Sequence, residues 1–277
     1  MKTNGFIPVL LCVAVSMTTV AYSQTVSQKR ITMQTIAENK QIIRDFYRRT
    51  VANGDLEFAN QIIADDYIQH SPMVKPGKAG LLEALAAMKQ LPKPASTTKP
   101  FMRLIAEDDL VVTNMSFEMA GQLMAVIDLF RLRNGQVVEH WDAMQKQPET
   151  TLNGHPMLDG AVEIEDLPAT EANKKTVAEF YERILINRKI EFLSDYVASD
   201  LVQHIPEIAN GPDGLRQYWQ QKGDGFVVQN VLRIISEGNF VVVQADGQLD
   251  QKPVTFYDVY RLSQGKIVEQ WGVKTTS

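Results

Sequence analysis

Asn39 to Tyr47 reads NKQIIRDFY, and Asn173 to Tyr181 reads NKKTVAEFY. The two stretches stay in register at an offset of 134 through YIQHSP and LVQHIP to Gly80-Leu81 and Gly214-Leu215. After a four-residue deletion they resume at an offset of 130, where DLFRLRNGQVVEHW (Asp128 to Trp141) meets DVYRLSQGKIVEQW (Asp258 to Trp271). Over 82 aligned positions, 39–81 and 103–141 with their partners, 28 are identical. Unrelated segments of average composition share roughly one position in sixteen, so the chain carries an internal duplication. Each copy is too long for a solenoid unit and long enough to fold as a domain.

The length of 277 residues agrees with two domains. A net charge of -5 offers no electrostatic attraction for nucleic acid or an anionic membrane. At the N-terminus, Lys2 precedes an apolar run from Phe6 to Val15, and Ala21 and Ser23 supply small residues before Gln24. That layout predicts a secretory signal peptide over 1–23, cleaved near Ser23, because the run is too short to span a membrane. The expected product is exported, periplasmic or secreted, with no membrane attachment after cleavage. Cys12 is the only cysteine and lies inside this segment, with large Leu11 arguing against a lipoprotein signal. The mature chain then has no thiol for disulfides, thiolate metal sites or nucleophilic catalysis.

Residues 24–34 are polar and read as a flexible tether. Ile36, Ile42, Ile43, Phe46, Tyr47 and Val51 recur at helical spacing, and Asn53-Gly54 stops the helix. A second helix is expected from the N-cap Asp55 through Phe58, Ile62 and Ile63. A short extended piece follows from Tyr67 to His70, then a third helix from Lys78 to Lys89. Four strands are predicted next, Phe101 to Glu107, Leu110 to Phe117, Leu123 to Leu132 and Gln136 to Met144, separated by turn residues. The second copy repeats the order, with helices near 173–187, 190–197 and 212–221. Its strands are expected near 226–236, 239–247, 252–262 and 266–274. The first domain is placed at 35–147, a Pro- and Gly-rich linker at 148–171, and the second domain at 172–277. Helices followed by a meander of strands make an α+β fold, in which a strongly curved antiparallel sheet can close over three helices and enclose a pocket.

Helix–helix–YIQH–P followed by DLFRLRNGQVVEHWD resembles the SnoaL-like branch of the nuclear transport factor 2-like superfamily, in tandem. The tail QKQPETTLNGHPMLDG resembles the extension of its predicted aldol-condensation members. The resemblance implies two cone domains and, where the family is catalytic, an acidic residue in the cone acting without metal or cofactor. It places that acid at Asp142, after His-Trp, and a further polar pocket residue at Asp128. It also implies that the two copies pair within one chain, as single-domain relatives pair through their sheets.

The hairpin around Asn134-Gly135 decides which side chains meet. A two-residue loop pairs Asp128 with Trp141 and sends Asp142 to the opposite face, whereas a three-residue loop with a bulge at Gly135 pairs Asp128 with His140. The three-residue loop is preferred here because the resemblance places both acids in the pocket, and alternation then sets Asp128, His140 and Asp142 on one face beside Val138 and Met144. A carboxyl among apolar groups has its pKa raised and can take a proton from carbon beside a carbonyl. His70, or Tyr67 at the same rim, is then a donor to the enolate oxygen. Tyr47, Tyr67, Phe130 and Met144 are candidate ligand contacts in the first copy, as are His204 and Asp258 in the second.

Structural explanations compete with these roles. Asp128 and Asp258 are each followed three residues later by arginine (Arg131, Arg261), which suits an ion pair. His70 and His204 suit structural hydrogen bonding, and no short metal-binding spacing occurs. His140-Trp141-Asp142 becomes Gln270-Trp271-Gly272 in the second copy, so any chemistry is expected in the first. Three readings stay open. One is a cofactor-independent cyclase, isomerase or lyase acting on a small apolar carbonyl compound. The others are a non-catalytic periplasmic binding protein and a pseudo-dimer that serves as a protein-interaction module.

Overall fold

The structure is a computed structural model that describes residues 33, 35–90, 102–119 and 121–276. The expected signal peptide, most of the tether and Phe101 lie outside the described residues. Helix α1 (residues 35–45) runs into a π-helical turn, Phe46–Val51, and stops where Gly54 takes a φ of 71°. In α2 (Leu56–Ile62) the side chain of Asp55 accepts the Phe58 N–H at 3.0 Å, as its N-cap position predicts. The helix ends one residue earlier than the sequence pattern suggests, and strand β1 (Ile63–Gln69) begins four residues before the expected Tyr67. After α3 (Gly77–Met88) come β2 (Met102–Glu107), β3 (Leu110–Met119), β4 (Gln122–Arg133) and β5 (Gln136–Lys146).

The second copy repeats this layout. Helix α4 (Thr170–Phe180) continues into the π-turn Tyr181–Ile186, and α5 (Leu193–Tyr196) leads into β6 (Val197–Gln203). Then follow α6 (Gly211–Lys222), β7 (Phe226–Glu237), β8 (Phe240–Leu249), β9 (Lys252–Ser263) and β10 (Lys266–Thr276). The repeated Gly-Leu pair has a steric cause. A Cβ at Gly80 would lie 2.0 Å from the Lys75 carbonyl oxygen, and one at Gly214 would lie 2.0 Å from that of Ala209.

The sheets run β1-β5-β4-β3-β2 and β6-β10-β9-β8-β7. Four strands of each form the expected antiparallel meander, and the fifth, β1 or β6, joins parallel to the last. The chain is thus two tandem α+β domains. On the inner face of the first sheet, Phe130, Leu132 and Val137 pack against Ile43, Phe46, Ala59, Ile62 and Leu85 of the helices. A matching core fills the second domain around Phe180, Tyr181, Leu215, Trp219 and Tyr260.

The outer faces of the two sheets share a third core, which joins Ile127, Leu129, Trp141 and Ala143 to Tyr257, Val259, Trp271 and Val273. Its edge is closed reciprocally. Lys40 pairs with Glu237 at 2.5 Å, and the equivalent Lys174 pairs with Glu107 at 2.6 Å. Glu237 also accepts the Ala106 N–H at 2.7 Å, and Glu107 that of Ser236 at 3.0 Å. Such an exchange of equivalent contacts is the pattern of a two-fold interface. The 148–171 segment packs as a strap, with Met157 and Leu158 buried in the shared core. Buried Arg103 donates to the carbonyls of Asp159 (2.6 Å) and Ala161 (2.7 Å) while lying 3.7 Å over the Trp271 ring.

Candidate functional site

The β4–β5 hairpin aims the acids, by a route that differs from the three-residue loop expected. Arg133 pairs with Gln136, and Asn134 and Gly135 both have positive φ (53° and 76°), which makes a two-residue turn with the strand twist. A bulge follows, since Leu132 opposes Val137 while Arg131 opposes Glu139, leaving Val138 unpaired. The extra residue shifts the register by one, so Asp128 faces Asp142 and Phe130 faces His140. Asp128, His140 and Asp142 therefore share a face, as anticipated, but Asp128 does not oppose His140. Met144 follows two residues further along, half-buried opposite Val126.

Asp128 is the most heavily hydrogen-bonded of these groups. Its Oδ2 accepts from the hydroxyls of Tyr47 and of Thr113 (3.3 Å), and its Oδ1 faces His140 Nε2 at 3.1 Å. The π-turn delivers Tyr47, whose own ionisation is pushed far up by burial and then by Asp128. His140 Nδ1 lies 3.1 Å from Gln69 Oε1, which also accepts the Ser71 N–H at 3.1 Å. The Ser71 contact orients the Gln69 amide, so His140 Nδ1 must donate to it. Arg131 is not the partner of Asp128. It bonds Glu139 at 2.9 Å and Asp109 at 3.0 Å.

Asp142 is in the opposite condition. One oxygen accepts from Ser71 Oγ at 3.1 Å, while Oδ1 is buried with no partner. Burial raises its pKa above the usual carboxylate range, His140 opposes that rise and Asp128 adds to it. The Tyr67 hydroxyl is likewise buried without a partner, and burial and then the nearby Asp142 charge push its ionisation upward. Orphaned buried polar groups cost about 1–3 kcal/mol each and call for an explanation. The two open groups lie near enough for the Asp142 charge to act on the Tyr67 hydroxyl.

The second copy keeps the frame and exchanges the polar groups. Gln203 donates to Gln270 (2.9 Å), Gln270 to Tyr260 (3.3 Å), Tyr260 to Tyr181 (3.3 Å), and Tyr181 to Asp258 Oδ2 (2.5 Å). This neutral relay replaces the histidine and brings no cation to the acid. Burial accordingly lifts the Asp258 carboxyl to about 6, against the pull of the Tyr181 bond and the Lys274 charge. Asp258 lines an open-mouthed cavity walled largely by aromatic side chains.

Residues 41–150 match the SnoaL-like polyketide cyclase family, and residues 177–270 match the SnoaL-like domain family. The chain is a tandem SnoaL-like protein. Solved structures resemble it one domain at a time. TsrD from Streptomyces laurentii is 21% identical, covering 39% of this chain and 89% of its own, with a TM-score of 0.33. IdmH from Streptomyces antibioticus is 21% identical over 39% of this chain and 91% of its own, with a TM-score of 0.31. An NTF-2 like protein of unknown function from Burkholderia xenovorans is 21% identical over 41% and 88%, with a TM-score of 0.35. No curated protein matches the chain.

Within this SnoaL-like frame, the first cone gathers Asp128, His140, Asp142, Tyr47, Tyr67 and Phe130, whose ring stacks on His140 at 4.6 Å. His70 is not among them. Strand alternation sends Tyr67 and Gln69 inward and His70 outward, where it stacks on Trp141 at 4.7 Å and bonds Glu139 at 2.8 Å. His204 does the same in the second copy, stacking on Trp271 at 4.9 Å and bonding Glu269 (3.0 Å) and the Pro156 carbonyl (2.8 Å). Both histidines thus stand on the outer faces, away from the cones. Gln69, Ser71 and Thr113 escaped the sequence reading. The one available signal was that Gln69 recurs as Gln203, in a dipeptide where the histidine drew attention. Among the described residues, no three His, Cys, Asp or Glu side chains are arranged to hold a metal.

Proposed function

We propose that the first domain binds a small apolar carbonyl compound and catalyses cofactor-independent acid/base chemistry on it through Asp142. The observation that carries this reading is the buried Asp142 Oδ1, left without a partner beside the unpartnered Tyr67 hydroxyl. The ionised Asp142 takes a proton from the carbon next to the carbonyl, and the Tyr67 hydroxyl donates to the oxygen on which the charge collects. The enolate carbon then adds to a second carbonyl of the same molecule, forming a carbon–carbon bond and an alkoxide. Protonated Asp142 returns its proton to that alkoxide, or to another carbon in an isomerisation. Asp128 and His140, in contact with each other, shape the neighbouring face of the sheet. They touch the substrate's surroundings and leave the transfer to Asp142.

Export to the periplasm or beyond forms part of the proposal, supported by Lys2 and the apolar run from Phe6 to Val15. The reciprocal lysine–glutamate pairs and the shared core support reading the two domains as an intramolecular dimer. The test is deuterium exchange at the α-carbon of 2-tetralone in heavy water, followed by NMR. Wild-type protein is expected to accelerate exchange, and Asp142→Asn to lose at least 100-fold of that acceleration. Equal exchange by both proteins refutes the assignment.

A further inference from the structure

On the outer face of the second domain, the strap satisfies a set of donors that the first domain repeats. Arg103 is anchored by Asn114 (2.8 Å), lies 3.7 Å over the Trp271 ring and donates to the carbonyls of Asp159 (2.6 Å) and Ala161 (2.7 Å). Trp271 Nε1 donates to the same Asp159 carbonyl at 2.8 Å, and His204 Nδ1 lies 2.8 Å from the Pro156 carbonyl. The equivalent residues of the first domain have the same arrangement. Arg233 is anchored by Gln244 and lies 3.9 Å over Trp141, on which His70 stacks. Among the described residues, however, nothing accepts from Trp141 Nε1 or from the remaining guanidinium nitrogens of Arg233, and His70 bonds through Nε2 alone. The His204 side chain is 1% exposed beneath the strap, and that of His70 is 39% exposed.

We propose that this outer face of the first domain docks an extended segment of a partner protein, one that places a glycine between two backbone carbonyls facing Trp141 Nε1 and Arg233. The strap defines that chemistry. Its main-chain carbonyls meet the donors, so the site reads an extended backbone and one residue size. Gly160 lies between the two accepting carbonyls with a φ of 92°. A Cβ there would stand 2.0 Å from Glu269 Oε1 and 3.0 Å from Trp271 Cζ2. Glu139 and Trp141 hold the equivalent places in the first domain, so its occupant needs a glycine too. The chain's own candidates fail that requirement. The strap is tied to the second domain by Asn153, which donates to the carbonyls of Ile205 (2.8 Å) and Ile208 (3.0 Å). Residues 24–32 correspond to 158–166 by the 134-residue offset, but no glycine occurs between Gly5 and Gly54. The site lies on the sheet face opposite Asp142 and is independent of the chemistry proposed for the cone.

The full two-domain chain, labelled with nitrogen-15, is titrated with an acetylated and amidated peptide of the strap sequence Pro156 to Val162 (PMLDGAV), and with the same peptide carrying Gly160→Ala. The chain has 3 tryptophans, so its indole N–H signals are few and Trp141→Phe identifies the one that matters. The glycine peptide is expected to shift the Trp141 signal saturably, and the alanine peptide to bind at least about 10-fold more weakly. Arg233→Leu is expected to weaken the glycine peptide by a similar factor, with circular dichroism reporting its folding. The comparison of the two peptides on the wild type needs no variant. Equal binding of the two peptides overturns the proposal, as does the absence of a saturable shift at millimolar peptide. A shift at Trp271 in place of Trp141 also overturns it, since the peptide would then be displacing the strap. A dimer of the full chain that the peptide dissociates in sedimentation would assign the face to a second copy and overturn the partner-protein reading.

Discussion

Replacing Asp258 by asparagine has a stability consequence whose sign and size follow from the structure. The Asp258 carboxyl is lifted from 3.8 to about 6 in the folded chain, chiefly by burial. In the unfolded chain it titrates near 3.9, so the folded state holds its proton more tightly. The stabilisation from that proton is fully present below about pH 4 and is lost as pH rises through about 6. At about 1.4 kcal/mol per pH unit, the difference amounts to about 3 kcal/mol at neutral pH. Asparagine is neutral throughout and its amide oxygen can still accept from Tyr181. Asp258→Asn is therefore expected to match the wild type near pH 3.5 and to exceed it by up to about 3 kcal/mol above pH 6.5. Urea unfolding of both proteins at half-unit pH steps measures the difference, in which every other carboxyl cancels. A gap that stays constant between pH 4 and pH 6.5 refutes the assignment of a buried, unpaired acid at this position.

Two further predictions concern the union of the domains. Glu107→Gln leaves half-buried Lys174 without its charge partner at 2.6 Å and is expected to cost about 1.5–3 kcal/mol in thermal or urea unfolding. Glu237→Gln should cost a similar amount through Lys40, and unequal losses would contradict the two-fold exchange. Arg103→Leu removes the donors to the Asp159 and Ala161 carbonyls and the cation over Trp271. It is expected to destabilise by about 3 kcal/mol and to expose the 157–161 strap to limited proteolysis, whereas unchanged protection would show that the strap is held elsewhere.

Much of the fold can be read from the chain because its signals are local. Asp55 caps α2 with the side chain its position suggests, and Asn134-Gly135 makes the tight turn such a pair favours. The strand limits follow period-two alternation within a few residues. The candidate site was less legible, for a specific reason. Placing Asp128, His140 and Asp142 on one face depended on register, and register depended on a bulge at Val138 that no residue type announces. The predicted face is the observed one, reached through a different loop. His70 went astray for the opposite reason. Its strand pairs parallel with β5, and the resulting alternation carries the ring to the outer face, onto Trp141.

The duplication, the α+β order of each copy, the family and the residue types available for chemistry are all legible along the chain. Those properties are written in identities, periodicities and turn residues that act over a few positions. Which acids are tied down and which are open depends on how each sheet closes over its helices. Asp128 and Asp258 occupy equivalent positions, yet one meets a histidine and two hydroxyls while the other meets a tyrosine relay and a glycine packed under Ile205. That difference depends on Thr113, Gln69 and Tyr47 for the first acid and on Tyr260, Gln270 and Gly272 for the second. These residues are far apart along the chain, and their proximity exists only once the sheets have closed over their helices.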